Sequence, residues 1–135
     1  MTIIDHIELA VRDAELSREF YEQALAPLGV VRIITIPADR THHRGARHGF
    51  GKDGYPRLWV HGGGSPGVGS HIAFAAADRS TVDNFYSAAV DAGGRDNGKP
   101  GIRSHYHDNY YAAYVIDPDG INVEVVCQAV IQASL

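Results

Sequence analysis

Residues 6–29 read "HIELAVRDAELSREFYEQALAPLG", and residues 71–94 read "HIAFAAADRSTVDNFYSAAVDAGG". The stretches align without a gap at an offset of 65, the difference between 71 and 6. Eight of the 24 pairs are identical: His6/His71, Ile7/Ile72, Ala10/Ala75, Asp13/Asp78, Phe20/Phe85, Tyr21/Tyr86, Ala24/Ala89 and Gly29/Gly94. Unrelated segments of average composition would share roughly one or two. The chain therefore reads as two copies of one module, about 1–62 and about 70–128, forming a single domain. Gly62-Gly63-Gly64-Ser65-Pro66-Gly67 is a flexible connector between them.

Each copy opens with a short strand, Ile4 to Val11 and Ser70 to Ala76. Side chains alternate across a strand, so Ile7, Leu9 and Val11 share one face while His6, Glu8 and Ala10 share the other. Ile72 and Phe74 likewise oppose His71, Ala73 and Ala75. Asp13 and Asp78 are N-caps for helices whose apolar residues recur at helical spacing: Leu16, Phe20, Ala24 and Leu25, then Val82, Phe85, Tyr86, Ala89 and Val90. Gly29 and Gly93-Gly94 end those helices. Three strands follow in each half: Val30 to Ile36, about Arg44 to Phe50 and Arg57 to His61; then near Ile102, Tyr110 to Ile116 and Ile121 to Cys127. The order is βαβββ twice, an α+β fold of two tandem modules with mixed sheets cupped around a central metal or ligand cleft. In this reading the helix covers the apolar face of each sheet, and the histidine-bearing face looks at the other module.

The stretch "VIDPDGINVEVVCQ", residues 115–128, places a carboxylate inside an apolar, β-branched strand. An ionised Glu124 in a dry interior costs several kcal/mol unless a cation, a metal or solvent meets it. Adding the offset of 65 to Trp59 gives 124, so "RLWVH" and "NVEVV" are equivalent strands. A pseudo-twofold would gather His6, His71, Trp59 and Glu124 around one point. Two imidazoles and one carboxylate suffice for a divalent ion (Fe, Mn, Zn or Ni) and leave coordination positions open. Glu8, on the face of His6, is a candidate supporting residue.

Composition narrows the function classes. The chain has 135 residues, 44% hydrophobic and 21% charged, with net charge -4 and no basic block. Neither nucleic acid nor an acidic membrane is an expected partner. No signal peptide and no bilayer-length apolar run is read. The single Cys127 excludes an internal disulfide and fits a cytoplasmic setting. Eight histidines supply abundant metal ligands and proton acceptors.

The whole chain resembles the vicinal oxygen chelate superfamily, which includes glyoxalase I, extradiol ring-cleaving dioxygenases, fosfomycin resistance enzymes and bleomycin resistance proteins. "DHIELAVRD", "FYEQALAPLG", "SHIAFAA" and "DPDGINVEVV" carry the resemblance. It implies paired βαβββ modules with metal ligands at His6, His71 and Glu124. Glyoxalase I has a further carboxylate or its equivalent at the position of Trp59, and an indole N–H cannot ligate a metal. The three-ligand members are the better match. "SHYHDNYYAAYVIDPDGINVE" is similar to the ring-cleaving signature, with His105 or His107 in the proton-handling role and Tyr114 hydrogen-bonding the substrate. Ala113, Arg103 and His105 depart from that pattern.

Further expectations concern the pocket. Trp59 and His61 share a strand face, and Trp59 walls the cavity. Tyr111, with Tyr110, belongs to a polar, aromatic rim. His42, His43, Arg44, Arg47 and His48 read as an exposed basic loop, and Cys127 as core. The expected function is a homodimeric metalloenzyme acting on a small molecule with vicinal oxygens, with dioxygenase-like or glyoxalase-like chemistry. The rival expectation is a metal-free, ligand-sequestering binding protein of the bleomycin-resistance type.

Overall fold

The computed structural model describes residues 3–42, 45–67 and 69–131. Its elements are β1 (Ile7–Ala10), α1 (Ala14–Leu25), β2 (Val31–Ile36), β3 (Arg47–Lys52), β4 (Tyr55–His61), β5 (His71–Ala75), α2 (Arg79–Asp91), β6 (Arg95–Ile102), β7 (Tyr111–Ile116) and β8 (Asn122–Cys127). Short 3-10 turns follow α1 at Ala26–Leu28 and β2 at Ala38–Arg40. The sheets run β1-β4-β3-β2 and β5-β8-β7-β6. Each is mixed, because its first strand lies parallel to its last while the others are antiparallel. This is the tandem βαβββ architecture expected from the repeat.

The equivalence holds at the level of register. Glu8 pairs with Trp59, and Ala73 pairs with Glu124; 8 + 65 = 73 and 59 + 65 = 124. Local signals set the elements. Asp13 Oδ1 accepts the Glu15 and Leu16 amides at 3.0 and 3.1 Å, and Asp78 Oδ1 accepts that of Thr81 at 2.8 Å. Both caps satisfy amide groups that the first helical turn leaves without partners. Gly120, at φ 88°, closes the Asp117–Gly120 turn and starts β8.

The helix-facing residues of both sheets enter one core. Phe20, Tyr21, Ala24 and Leu25 of α1 and Val82, Phe85 and Ala89 of α2 are buried with Leu58, Val60, Val115, Val123, Val125 and Cys127. Cys127 is a core residue, as the strand parity indicated. The helices also pack on one another. Each has apolar surface beyond the stripe that covers its own sheet, and burying both stripes together removes more of it from water.

Polar contacts tie the modules at the same place. Tyr21 donates to Asp117 Oδ2 at 2.6 Å. Ser17 Oγ and the Arg12 amide donate to Asp119 at 3.2 and 2.9 Å. Contacts between modules thus run through the helices and the Asp117–Gly120 turn. Among the described residues, the helix-covered faces meet within the chain, and a groove between the modules lies between β1 and β5.

One correction concerns the basic stretch. His43 and Arg44 lie outside the described residues. Arg47 and His48 belong to β3, and His48 is buried against α1. Its Nδ1 is 2.9 Å from Thr35 Oγ1 and its Nε2 is 2.9 Å from Glu15 Oε1. Arg32 donates to Thr35, and Arg18 and Arg32 bracket Glu22, so a closed polar ring joins β2, β3 and α1. Alternation along β3 puts His48 on the helix side and Arg47 on the other.

Candidate functional site

Strand parity assigns each candidate to a face. On the N-terminal sheet, Leu58 and Val60 enter the core, so Trp59 and His61 project from the open face. Glu8 joins them from β1 and Arg47 from β3, through the pairs Glu8–Trp59 and Arg47–His61. Glu8 Oε1 accepts from Arg47 Nη2 at 2.6 Å, and Glu8 Oε2 lies 2.7 Å from His61 Nδ1. His6 sits at the start of this sheet with its Nδ1 2.8 Å from Asp5 Oδ1. It lines a groove of about 670 Å³ between β1 and β5, together with Ile7, Leu58, Ile72 and Phe74.

On the C-terminal sheet the open face carries His71, Glu124 and Tyr114. Tyr114 pairs with Glu124 across β7 and β8, so the tight turn makes them neighbours as expected. His71 Nε2 is 3.0 Å from Glu124 Oε1. Its Nδ1 is 2.9 Å from the carbonyl oxygen of Asn122. A carbonyl only accepts, so Nδ1 carries the proton. With a neutral ring, the Nε2 lone pair then points at a carboxylate oxygen. Two acceptors facing one another need a proton or a cation between them. Imidazole nitrogen and carboxylate, with the imidazole's far nitrogen fixed by a carbonyl, match the donor set of a divalent metal centre.

Glu124 is nearly buried, with a side chain 4% exposed. Its Oε2 accepts a short hydrogen bond from Tyr110. Burial first, and then the bonded carboxylate, push the Tyr110 hydroxyl far above its ordinary range, so it remains a donor. Burial, then Glu124, also raises Tyr114. Tyr110 was read only as rim. It lies just before β7, four residues from Tyr114, so alternation places it on the same open face, from which it reaches across to β8.

Tyr111 falls elsewhere. It pairs with Cys127, its hydroxyl donates to Asp83 of α2 at 2.6 Å, and Arg79 stacks on its ring at 5.0 Å. It therefore lies on the helix side, which corrects its placement in the pocket. Tyr111 and Tyr114 are an odd number of residues apart on one strand and face opposite ways.

His105 packs against Tyr106 at 4.3 Å and lines a recess of about 290 Å³ with Arg103, Tyr106, Tyr114 and Asn122. His107 has both ring nitrogens engaged, Nε2 with Gln128 at 2.9 Å and Nδ1 accepting the Asn109 amide at 3.1 Å. It braces the loop beneath Tyr110, whose ring it meets edge-on at 5.5 Å.

His71 and Glu124 thus come together, while His6 does not join them within the chain. Among the described residues, no group of three or more His, Cys, Asp or Glu side chains is placed to hold a metal. No helix among them is long and apolar enough to cross a membrane.

Comparisons with known proteins agree with this architecture. A glyoxalase/bleomycin resistance protein from Albidiferax ferrireducens T118 is 25% identical, with 95% of this chain and 100% of that one covered at a TM-score of 0.76. A mutant of the fosfomycin resistance protein FosX from Listeria monocytogenes, complexed with Mn(II) and 1S,2S-dihydroxypropylphosphonic acid, is 19% identical. It covers 96% of this chain and 95% of its own, at a TM-score of 0.69. A mutant glyoxalase I from Zea mays is 17% identical, covering 95% of this chain but 45% of its own, at a TM-score of 0.67. These last two likenesses concern the fold alone. No curated protein matches. The family model of the Glyoxalase/Bleomycin resistance protein/Dioxygenase superfamily matches residues 3–125, nearly the whole chain, and the chain belongs to that superfamily.

Proposed function

We propose that this chain is a small metalloenzyme in which a divalent ion (Fe, Mn, Zn or Ni) is held by His71 and Glu124 of one copy and His6 of a second. Its substrate is a small molecule with vicinal oxygens. The observation that carries the reading is the His71–Glu124 pair, with Nε2 3.0 Å from Oε1 while Nδ1 is committed to Asn122. When bound, the ion supplies Lewis acidity toward adjacent substrate oxygens. The chain's residues do the rest. The Asn122 carbonyl fixes the His71 tautomer, and Tyr110 holds the Glu124 carboxylate in one rotamer. Tyr114, beside Glu124, offers its hydroxyl to the substrate. His105, in the recess with Tyr114, accepts a substrate proton at a ring nitrogen. His107, with both nitrogens engaged, positions that loop.

The arrangement of the modules supports assembly from two copies. Among the described residues, each open face lacks a covering partner within the chain, and His6 does not join His71 and Glu124 in one metal-holding group. A cyclic dimer can place the N-terminal face of one copy against the C-terminal face of the other, twice. Metal analysis of tag-free protein tests the reading directly. About one divalent ion per chain is expected, with loss in Glu124→Gln. A folded protein that takes up no metal would instead favour the sequestering role of the bleomycin-resistance type.

A further inference from the structure

We propose that the Arg47–Trp59 stack on the open face of the N-terminal sheet binds the carboxylate of a small organic acid with an apolar or aromatic body. The proposal rests on reading the open sheet faces as walls of one substrate cavity, and it names the class of molecule admitted there.

The stack is a built feature. Trp59 lies across Gly49, where an added Cβ would sit 3.0 Å from its ring and 3.1 Å from Ile34. Only glycine lets the indole lie that close to the strand. Arg47 is then presented on the ring, its guanidinium carbon 4.2 Å from the ring centroid. A guanidinium stacked on indole keeps its charge while its hydrogen-bonding edge points outward. Glu8 holds one terminal nitrogen from the side and fixes the orientation.

One donor is left over. Arg47 Nε is shielded from solvent and meets no acceptor among the described residues. Buried donors without partners are rare, and a ligand that draws the guanidinium off its shielded position is one of the few ways to satisfy this one. The guanidinium fork matches a carboxylate in bidentate geometry. Glu8 decides against a dianionic phosphoryl group, which would meet a full second negative charge beside the same arginine. A monoanionic carboxylate meets the smaller repulsion. Ile34 and Trp59 supply apolar contact for the carbon skeleton, and Ile34 is 42% exposed.

The chain has one tryptophan beside seven tyrosines, so emission excited selectively in the tryptophan band reports this position alone. Benzoate should quench or shift Trp59 emission saturably, and benzyl alcohol, which keeps the ring but lacks the charge, should do so far more weakly. Arg47→Met should weaken benzoate binding at least about tenfold, the loss expected for a charge-assisted pair. Arg47→Lys should recover part of it, with thermal melting confirming that both variants fold. Equal responses to benzoate and benzyl alcohol, or unchanged benzoate affinity in folded Arg47→Met, would overturn the proposal. Metal content of the same samples separates this outcome from the metal reading. Metal retained without an Arg47-dependent response sinks the anion site alone. An Arg47-dependent response in metal-free protein upholds it while the metal reading fails.

Discussion

The Tyr21 hydroxyl donates to Asp117 Oδ2 at 2.6 Å, joining the helix of the first module to the turn of the second. Asp117 also accepts the amides of Asp119 and Ile121, each at 2.8 Å. Burial raises its carboxyl above the ordinary range, opposed chiefly by the Tyr21 bond. Tyr21→Phe removes the one side-chain donor, among the described residues, from a buried carboxylate. A loss of about 1.5–3 kcal/mol of stability is expected by denaturant titration. A change below measurement error would show that the contact does not hold the modules together.

His48 provides a pH-dependent element. Thr35 Oγ1 accepts from Arg32, so its own proton is free for His48 Nδ1, while Nε2–H donates to Glu15. Only a neutral ring satisfies all three groups. Burial, the largest influence, lowers the His48 pKa below its ordinary 6.5, although Glu15 opposes the shift. A depressed folded-state value means stability is present above 6.5 and is lost as pH falls through the lower folded value. Melting temperature should therefore drop between pH 7 and 5, and His48→Gln should flatten that drop. Parallel pH profiles for the two proteins would exclude His48 as its source.

Much of this was written in the sequence, and what was missed has physical causes. A repeat at fixed offset transfers register, so Glu8–Trp59 and Ala73–Glu124 could be read as equivalent pairs before any coordinates. Alternation correctly sent Cys127 to the core and would have sent Tyr111 to the helix side had parity been applied there too. Tyr110 lies four residues before Tyr114 and so on its face, but a residue at the very edge of a strand carries a weak alternation signal. How the modules meet was hidden for another reason. An amphipathic helix declares which residues it buries, not whether a sheet or a second helix buries them. His48 falls inside the expected strand of about Arg44 to Phe50, but its glycine-rich, basic surroundings suggest exposure, and only the strand's parity sends it to the helix side.

Tyr110 should tune the metal centre without being a ligand. Its hydroxyl is the donor that fixes Glu124 Oε2. Tyr110→Phe leaves His71 and Glu124 in place but frees the carboxylate to rotate. Metal affinity should fall roughly 10–100-fold, the usual cost of losing such a partner. Glu124→Gln should instead abolish retention. Equal affinities in Tyr110→Phe and the parent, measured by competition with a chelator, would make this bond a packing feature only.

Cross-chain assembly makes a prediction that within-chain assembly cannot. His6→Ala removes one ligand from the N-terminal face, and Glu124→Gln removes one from the C-terminal face. Each homodimer should then lack every intact site. In a dimer with one chain of each kind, one site pairs both defects. The other pairs intact His6 of the Glu124→Gln chain with intact His71 and Glu124 of the His6→Ala chain. Co-expression with two different tags, followed by tandem purification, isolates that mixed dimer. It should hold about one metal ion per dimer, half the parental content. If the ligands instead converge within a chain, each chain carries a defect and the mixed dimer holds none. A monomeric mass by light scattering across a wide concentration range would dismiss the arrangement at the outset. The helix-to-helix packing within the chain, and the separation of His6 from His71 and Glu124, are what make restoration the expected result.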